Sequence, residues 1–388
     1  MGNKSRDPRP ANVTLLAGAD RANDGVRLCK VMSMKFRHVA RYVLCFGLYY
    51  SGVFHLFRRI RRMVKIHRMV ILTYHSFSHD MCYLDMGVSP TLFIEQVKGL
   101  LHSFRVLTLS EALAICDEAP EMSGDLAVIT VDDGYADNFQ PLVDAVTQYG
   151  VPTTVFLTTN CIDAGEPTAV MWVMLAVHNA SIKSIDLPEI GVRSLSIGTS
   201  SDKESAIRKI DAALKPLSAN ERAVIIERLL ACTGEDSLVR QRARSTMLDW
   251  KQVRLMHAAG IEVGAHSLTH PVLSRLNDSA VRDEICGSIQ RVRDMVGVET
   301  VTFAYPYGGQ ADVNENVVEI CRRSGATAAV MLTDGDMPGG DRFRIPRMIV
   351  TSDRSTTPWG HFSRAMWACE LEGLVDIFRN VVSRASVH

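Results

Sequence analysis

Between Asp24 and Asp80 the chain carries no acidic residue, while the same stretch holds eleven basic ones, from Arg27 to Arg68. A stretch so lopsided cannot neutralise itself with local ion pairs, and it stands apart from a chain whose formal net charge is zero. That overall neutrality excludes the broad basic field that gathers nucleic acid, so no nucleic acid is expected as a partner. The nine cysteines are scattered and include no CxxC pair, which excludes a recognisable disulfide framework and favours a reducing compartment. Long apolar runs are also missing. Tyr42 to Phe57 is sixteen residues without a formal charge, short of the roughly 20 that span a bilayer, and it contains His55 and two glycines. A secretory signal would need a small-residue cleavage site after such a run, but here the run meets RRIRR, which would hold that end on the cytoplasmic side. No internal repeat or low-complexity tract is evident.

What the basic stretch does contain is aromatic and apolar residues interleaved with arginine. Residues 35–68 are expected to form a basic, apolar, membrane-proximal helix lying on an anionic leaflet, with a helix packed on the main domain or a single span as the alternatives. Residues 1–34, polar at the start with Pro, Gly and Asn, are expected to form a tail without fixed structure. Arg6 stands where a myristoylation signal needs Ser or Thr, so no lipid anchor is inferred.

From Met69 onward short runs of branched apolar residues recur: 69–74, 126–131, 153–158, 261–266, 300–305, 326–332 and 343–350. Continuous runs of this kind suit strands buried on both faces. Between them lie segments with apolar residues three and four apart, at 89–104, 138–150, 246–260, 279–297 and 314–325, and four of these end in glycine, a helix stop. Strand and helix in alternation imply parallel strands with helical crossovers, closing into a barrel or forming an open doubly wound sheet. Residues 159–245 break the rhythm with a largely helical insertion, read as a lid or subdomain. Residues 356–388 are expected to form a C-terminal helical tail.

In parallel α/β folds the site gathers where strands end. Four runs here end in reactive groups: His75 after the first, Asp132 and Asp133 after the second, His266 and then His270 after the fourth, and Tyr305-Pro306-Tyr307-Gly308 after the fifth. Neighbouring aspartates at a strand end point in opposite directions, so one can ligate a cation while the other faces a different part of the cavity. Two imidazoles and one carboxylate leave coordination positions open, as a hydrolytic metal site requires. Taken singly, DDG also reads as a capped turn, and HSLTH as satisfied loop histidines.

The runs Thr130 to Gly134, His266 to Pro271 and Tyr305 to Gly308 resemble three motifs of the polysaccharide deacetylase family, also called the NodB-homology domain, and the resemblance extends from about Met69 to Thr351. It implies a distorted (β/α) barrel of about seven parallel strands with a helical insertion, spanning 69–355. It implies a divalent metal, zinc, held by Asp133, His266 and His270, with Asp132 as catalytic base and the backbone N–H of Tyr307 binding the oxyanion. The C-terminal run 343–350 lacks the histidine that commonly serves as acid. His75, ahead of the first motif, resembles instead the arrangement in the circularly permuted poly-N-acetylglucosamine deacetylase branch and is the candidate acid. Many members have an arginine where this chain has Ala304, and Arg347 is the candidate to supply that charge. The turn Asp334-Gly335-Asp336 could orient the acid but reads better as a plain turn.

The expected substrate is an N-acetylated saccharide, polymeric, oligomeric or lipid-linked, handled in exopolysaccharide or cell-envelope glycan synthesis. The expected location is the cytoplasm, peripheral on the inner face of the membrane. The alternative is a catalytically silent carbohydrate-binding or assembly protein on the same scaffold. A metal-dependent deacylase or sugar isomerase is a third reading, although the further acidic ligands and lysine of an isomerase are not seen at the strand ends.

Overall fold

The computed structural model describes residues 36–78, 87–118, 124–234, 236–333 and 340–375. The tail expected at 1–34, the turn Asp334-Gly335-Asp336 and the end of the chain from residue 376 lie outside the described residues. The chain divides into two compact units, one formed by residues 1–56 with 355–388 and the other by 57–354.

The second unit is built on a mostly parallel sheet. Its strands are β1 (Met69–Tyr74), β2 (Arg105–Leu107), β3 (Leu126–Val131), β4 (Thr154–Leu157), a separate hairpin β5 (Ser184–Leu187) and β6 (Val192–Ser196), β7 (Glu262–Ala265), β8 (Phe303–Ala304), β9 (Ala329–Met331), β10 (Ile345–Pro346) and β11 (Met348–Ile349). The neighbours run β10-β9-β8-β7-β4-β3-β1-β11, with β2 added beside β3. Only Arg347 separates β10, which pairs with β9, from β11, which pairs with β1, so one short segment joins both ends of the sheet. The ring is nearly closed. One buried cluster accordingly gathers Met69 of β1, Val128 of β3, Phe156 of β4, Ala304 of β8 and Val330 of β9, residues that an open sheet would hold far apart. This is the distorted (β/α) barrel with a helical insertion that the resemblance implied. Strands β1 and β3 are fully buried along their length, as continuous branched runs require.

The helices between strands start and stop where the sequence places caps. Ser89 caps Pro90–Leu101, Asn277 caps Asp278–Val296 and Asn314 caps Glu315–Arg323, each accepting a first-turn backbone N–H. The insertion is largely helical, as expected, with one addition. Besides the helices Ala169–Asn179, Ser200–Leu214, Ala219–Thr233 and Asp236–Ala243 it carries the antiparallel hairpin β5–β6. It also has a core of its own, with Val173, Ile185, Ile207, Ile210, Leu229 and Val239 buried together.

The basic segment is two helices rather than one: 36–50, and Val53–Met63 after a break at Gly52, whose φ of 86° is left-handed. Its arginines are less free than the charge pattern suggested. Arg61 and Arg62 both pair with the buried Asp125, and Arg58 and Arg62 donate to the Ser103 carbonyl, because Asp125 supplies from the barrel the acid that the segment lacks. In the first unit, Cys45 and Phe54 pack with Met366 and Cys369 of the helix Arg364–Leu371. Among the described residues no helix is long and apolar enough to cross a membrane.

Candidate metal centre and active site

Each site residue predicted from the sequence follows a barrel strand at its carboxyl end: His75 after β1, Asp132 and Asp133 after β3, His266 after β7, Tyr307 after β8 and Arg347 after β10. The backbone there is unusual. Of the six described non-glycine residues with positive φ, four are Asp133 (70°), Ser267 (65°), His270 (56°) and Tyr307 (59°). Each such residue costs about 1–3 kcal/mol unless its surroundings hold it, and such strain concentrates at functional sites.

Asp133, His266 and His270 are all buried and converge. Asp133 Oδ1 lies 3.5 Å from His266 Nε2 and 3.3 Å from His270 Nε2, and the three candidate ligand atoms fall within 4.8 Å of one another. His266 Nδ1 is 2.8 Å from the Ala304 carbonyl, which can only accept, so Nδ1 carries a proton and the ring is oriented with Nε2 toward Asp133. Burial pushes the His270 imidazole down to about 3 despite the pull of Asp133, which keeps it neutral. Asp133 Oδ1 is buried with no hydrogen-bond partner among the described residues. Asp133 Oδ1 thus meets two imidazole Nε2 atoms without accepting a hydrogen bond, a buried set of candidate ligands that fits a divalent cation.

Asp132 has a different partner from this trio. Burial raises its carboxyl, but the Arg347 guanidinium overcomes that and holds it at about 2, with both Asp132 oxygens 2.7 Å from Arg347 nitrogens. Arg347 Nη1 also donates to Thr130 Oγ1 at 2.9 Å, and both members of the pair are buried. Ala304, where the resemblance places an arginine, is fully buried among the apolar residues of the barrel. His75 is buried beside this pair: the parallel register Tyr74 to Val131 sets it next to Asp132. Burial pushes its imidazole below the ordinary value, while Asp133 and Asp132 pull it up.

Tyr307 stands over the other side of the trio, its ring centroid 4.9 Å from that of His270. Its hydroxyl donates to Asp211 at 3.3 Å, and Lys215 Nζ lies 4.2 Å above its ring. Those two residues, together with Arg222 and Glu284, which bond the His266–His270 loop from outside it, were not singled out from sequence. They sit on helices at no fixed spacing from any motif, so only the tertiary structure connects them to the site. A cavity of about 790 Å³ is lined by Tyr135, Asp137, Met174, His178, Lys203 and Arg242, and none of the site residues named above lines it.

The sequence profile of polysaccharide deacetylases matches residues 119–329. The chain belongs to the polysaccharide deacetylase family. The matched segment includes Asp132, Asp133, His266, His270 and Tyr307, whereas His75 and Arg347 lie outside it. A Bacillus subtilis (strain 168) protein, YxkH, which carries the polysaccharide deacetylase name, is 28% identical over 130 residues, 33% of this chain and 46% of that protein. The chain thus matches under half the length of this curated relative. Among solved structures, the Streptococcus pyogenes deacetylase PplD in complex with acetate is 15% identical with a TM-score of 0.49, covering 76% of this chain and 96% of that one. IcaB from Ammonifex degensii is 17% identical with a TM-score of 0.48, covering 78% and 97%.

Proposed function

We propose that this polysaccharide deacetylase family member is a divalent-metal-dependent hydrolase that removes the N-acetyl group from an N-acetylated saccharide. The observation that carries the reading is the convergence of Asp133, His266 and His270, three buried side chains whose ligand atoms face one another while Asp133 Oδ1 accepts no hydrogen bond. These residues would hold the cation, with zinc the ion a His₂-carboxylate set suits. When bound, a divalent cation supplies Lewis-acid polarisation of an amide carbonyl and of water.

The chain's own residues do the rest. Asp132, kept ionised by Arg347, takes the proton from the attacking water. The Tyr307 backbone N–H donates to the oxygen that gains charge as the carbonyl carbon becomes tetrahedral. His75, buried beside the aspartate pair, passes a proton to the amine as the C–N bond breaks, so that acetate and a free amino sugar leave. The cavity of about 790 Å³ that reaches Tyr135, two residues after Asp133, has the size and polar lining to accommodate sugar rings.

We place the reaction in exopolysaccharide or cell-envelope glycan synthesis, at the cytoplasmic face of a membrane. What supports this is the apolar face of helix 36–50: Phe36, Val39, Val43, Phe46 and Tyr50, spaced alternately three and four apart, are all exposed within a segment free of acidic residues.

The decisive test is acetate release from an N-acetylglucosamine oligomer by the zinc-loaded full-length chain, beside Asp132→Asn and His266→Ala. Release is expected, with Asp132→Asn lowering the rate about 10²–10⁴-fold, as loss of a general base does. Stoichiometric zinc without release would move the substrate assignment to another saccharide, whereas absence of both would favour a silent carbohydrate-binding scaffold.

A further inference from the structure

Two of the strand-end residues that form the site are also held from outside the barrel. Arg222 lies on the inserted helix Ala219–Thr233 and is 4% exposed. Its Nη1 donates to the His270 carbonyl at 3.0 Å, and its Nη2 reaches the Thr269 carbonyl at 3.4 Å and Thr269 Oγ1 at 3.3 Å. The oxygens that satisfy this buried guanidinium are therefore those of the His266–His270 loop. Asp211 lies near enough to feel its charge, but the hydrogen bonds of the guanidinium go to the loop and not to a carboxylate.

The loop needs holding, because Ser267 and His270 both adopt left-handed backbone that a side chain disfavours. Glu284, on the barrel helix Asp278–Val296, grips it from the other side, accepting from Leu268 N at 2.8 Å, Thr269 N at 2.9 Å and Thr269 Oγ1 at 2.6 Å. An anion thus holds the loop by its N–H groups and a cation of the insertion holds it by its carbonyls. The insertion fixes a second strand end as well, since Asp211 of the inserted helix Ser200–Leu214 accepts the Tyr307 hydroxyl.

We propose that Arg222 is a positioning residue: by binding the His270 carbonyl it fixes the left-handed backbone that aims His270 Nε2 at Asp133, and so makes assembly of the ligand set depend on the folded insertion. The proposal rests on reading Asp133, His266 and His270 as metal ligands, and it extends that reading to a residue that touches neither metal nor substrate.

The test is a titration of the metal-stripped full-length chain with cobalt(II) chloride, followed by the visible absorption of the bound ion, which reports ligand geometry independently of turnover. Arg222→Met is expected to weaken cobalt binding about tenfold or more, as loss of a group that orients a ligand does, and to alter the band shape. Arg222→Lys, which keeps one donor toward the His270 carbonyl, should recover part of the affinity. Far-ultraviolet circular dichroism shows whether each variant folds. If Arg222→Met does not, Arg222→Lys decides alone, and cobalt affinity and spectrum identical to the parent overturn the proposal. Parent-like binding by a folded Arg222→Met overturns it too, while leaving the metal-site reading intact. Failure of the parent itself to bind cobalt overturns both.

Discussion

Asp132 and Arg347 are buried against each other, so neither can be removed without stranding a charge in the barrel. Arg347→Met is expected to destabilise the fold by about 3–5 kcal/mol, the usual cost of breaking a buried pair from one side, read as a lower urea midpoint at neutral pH. The pH dependence follows from the direction of the shift. Asp132 has a folded-state value near 2, below its unfolded value of about 3.9, so its contribution to stability is present above the unfolded value and is lost as pH falls through the folded one. Without Arg347, burial acts on the carboxyl with less opposition and its value rises. The acid limb of kcat/KM should therefore move to higher pH in Arg347→Met, since the proposed base works only when ionised. Full activity with an unmoved acid limb would remove Arg347 from the mechanism. The placement also accounts for Ala304: the guanidinium arrives from the last strand of the ring, and the position on β8 is left to apolar packing.

At the scale of the strands, close approach of backbone is what aims these groups. Gly264 in β7 precedes His266 by two residues, and a Cβ there would sit 2.5 Å from Phe156 Cδ1 and 2.8 Å from the Thr302 carbonyl. Gly264→Ala is expected to cost about 1–3 kcal/mol by overpacking, measurable as a urea-midpoint shift with an unchanged m-value. No change would mean that the β7–β8 contact is looser than the geometry indicates. The same elements show why parts of the fold were legible. β1 and β3 match their predicted runs residue for residue, because six consecutive buried residues, apolar but for one threonine in each, leave no solvent-facing side to confuse with a helix. β2 escaped notice at three residues, and the β5–β6 hairpin did so because its exposed positions carry Ser, Asp and Arg. The last strand is interrupted where Arg347 turns inward after Pro346, a break that a β-branched run does not announce. The metal trio could be read because its members stand at strand ends. Arg222 and Glu284 could not, since each acts through the backbone of a loop distant in sequence.

For the molecule as a whole, a neutral chain that concentrates its unbalanced positive charge in one segment has a polarity that folding reduces but does not cancel. Arg61 and Arg62 are drawn to Asp125, while Arg37 and Arg59 remain exposed and the apolar stripe of helix 36–50 is uncovered. Burying one large apolar side chain in an acyl layer is worth about 1.5–3 kcal/mol, so Phe36 and Phe46 should each contribute at least tenfold to partitioning. The full-length chain is therefore expected to sediment with vesicles containing phosphatidylglycerol and to do so less with neutral phosphatidylcholine or in high salt, because the surface charges are screened. Phe36→Ser with Phe46→Ser should abolish sedimentation at lipid concentrations that bind the parent fully. The same alternation of three and four also suits a seam between two helices. If light scattering instead shows a dimer that the double substitution dissociates, and vesicles leave the parent in solution, the stripe joins two copies and the membrane placement fails. Binding to anionic vesicles by a monomer, together with a C-terminal reporter active in the cytoplasm, would set the site at the inner face, where a lipid-linked or nascent saccharide can reach it.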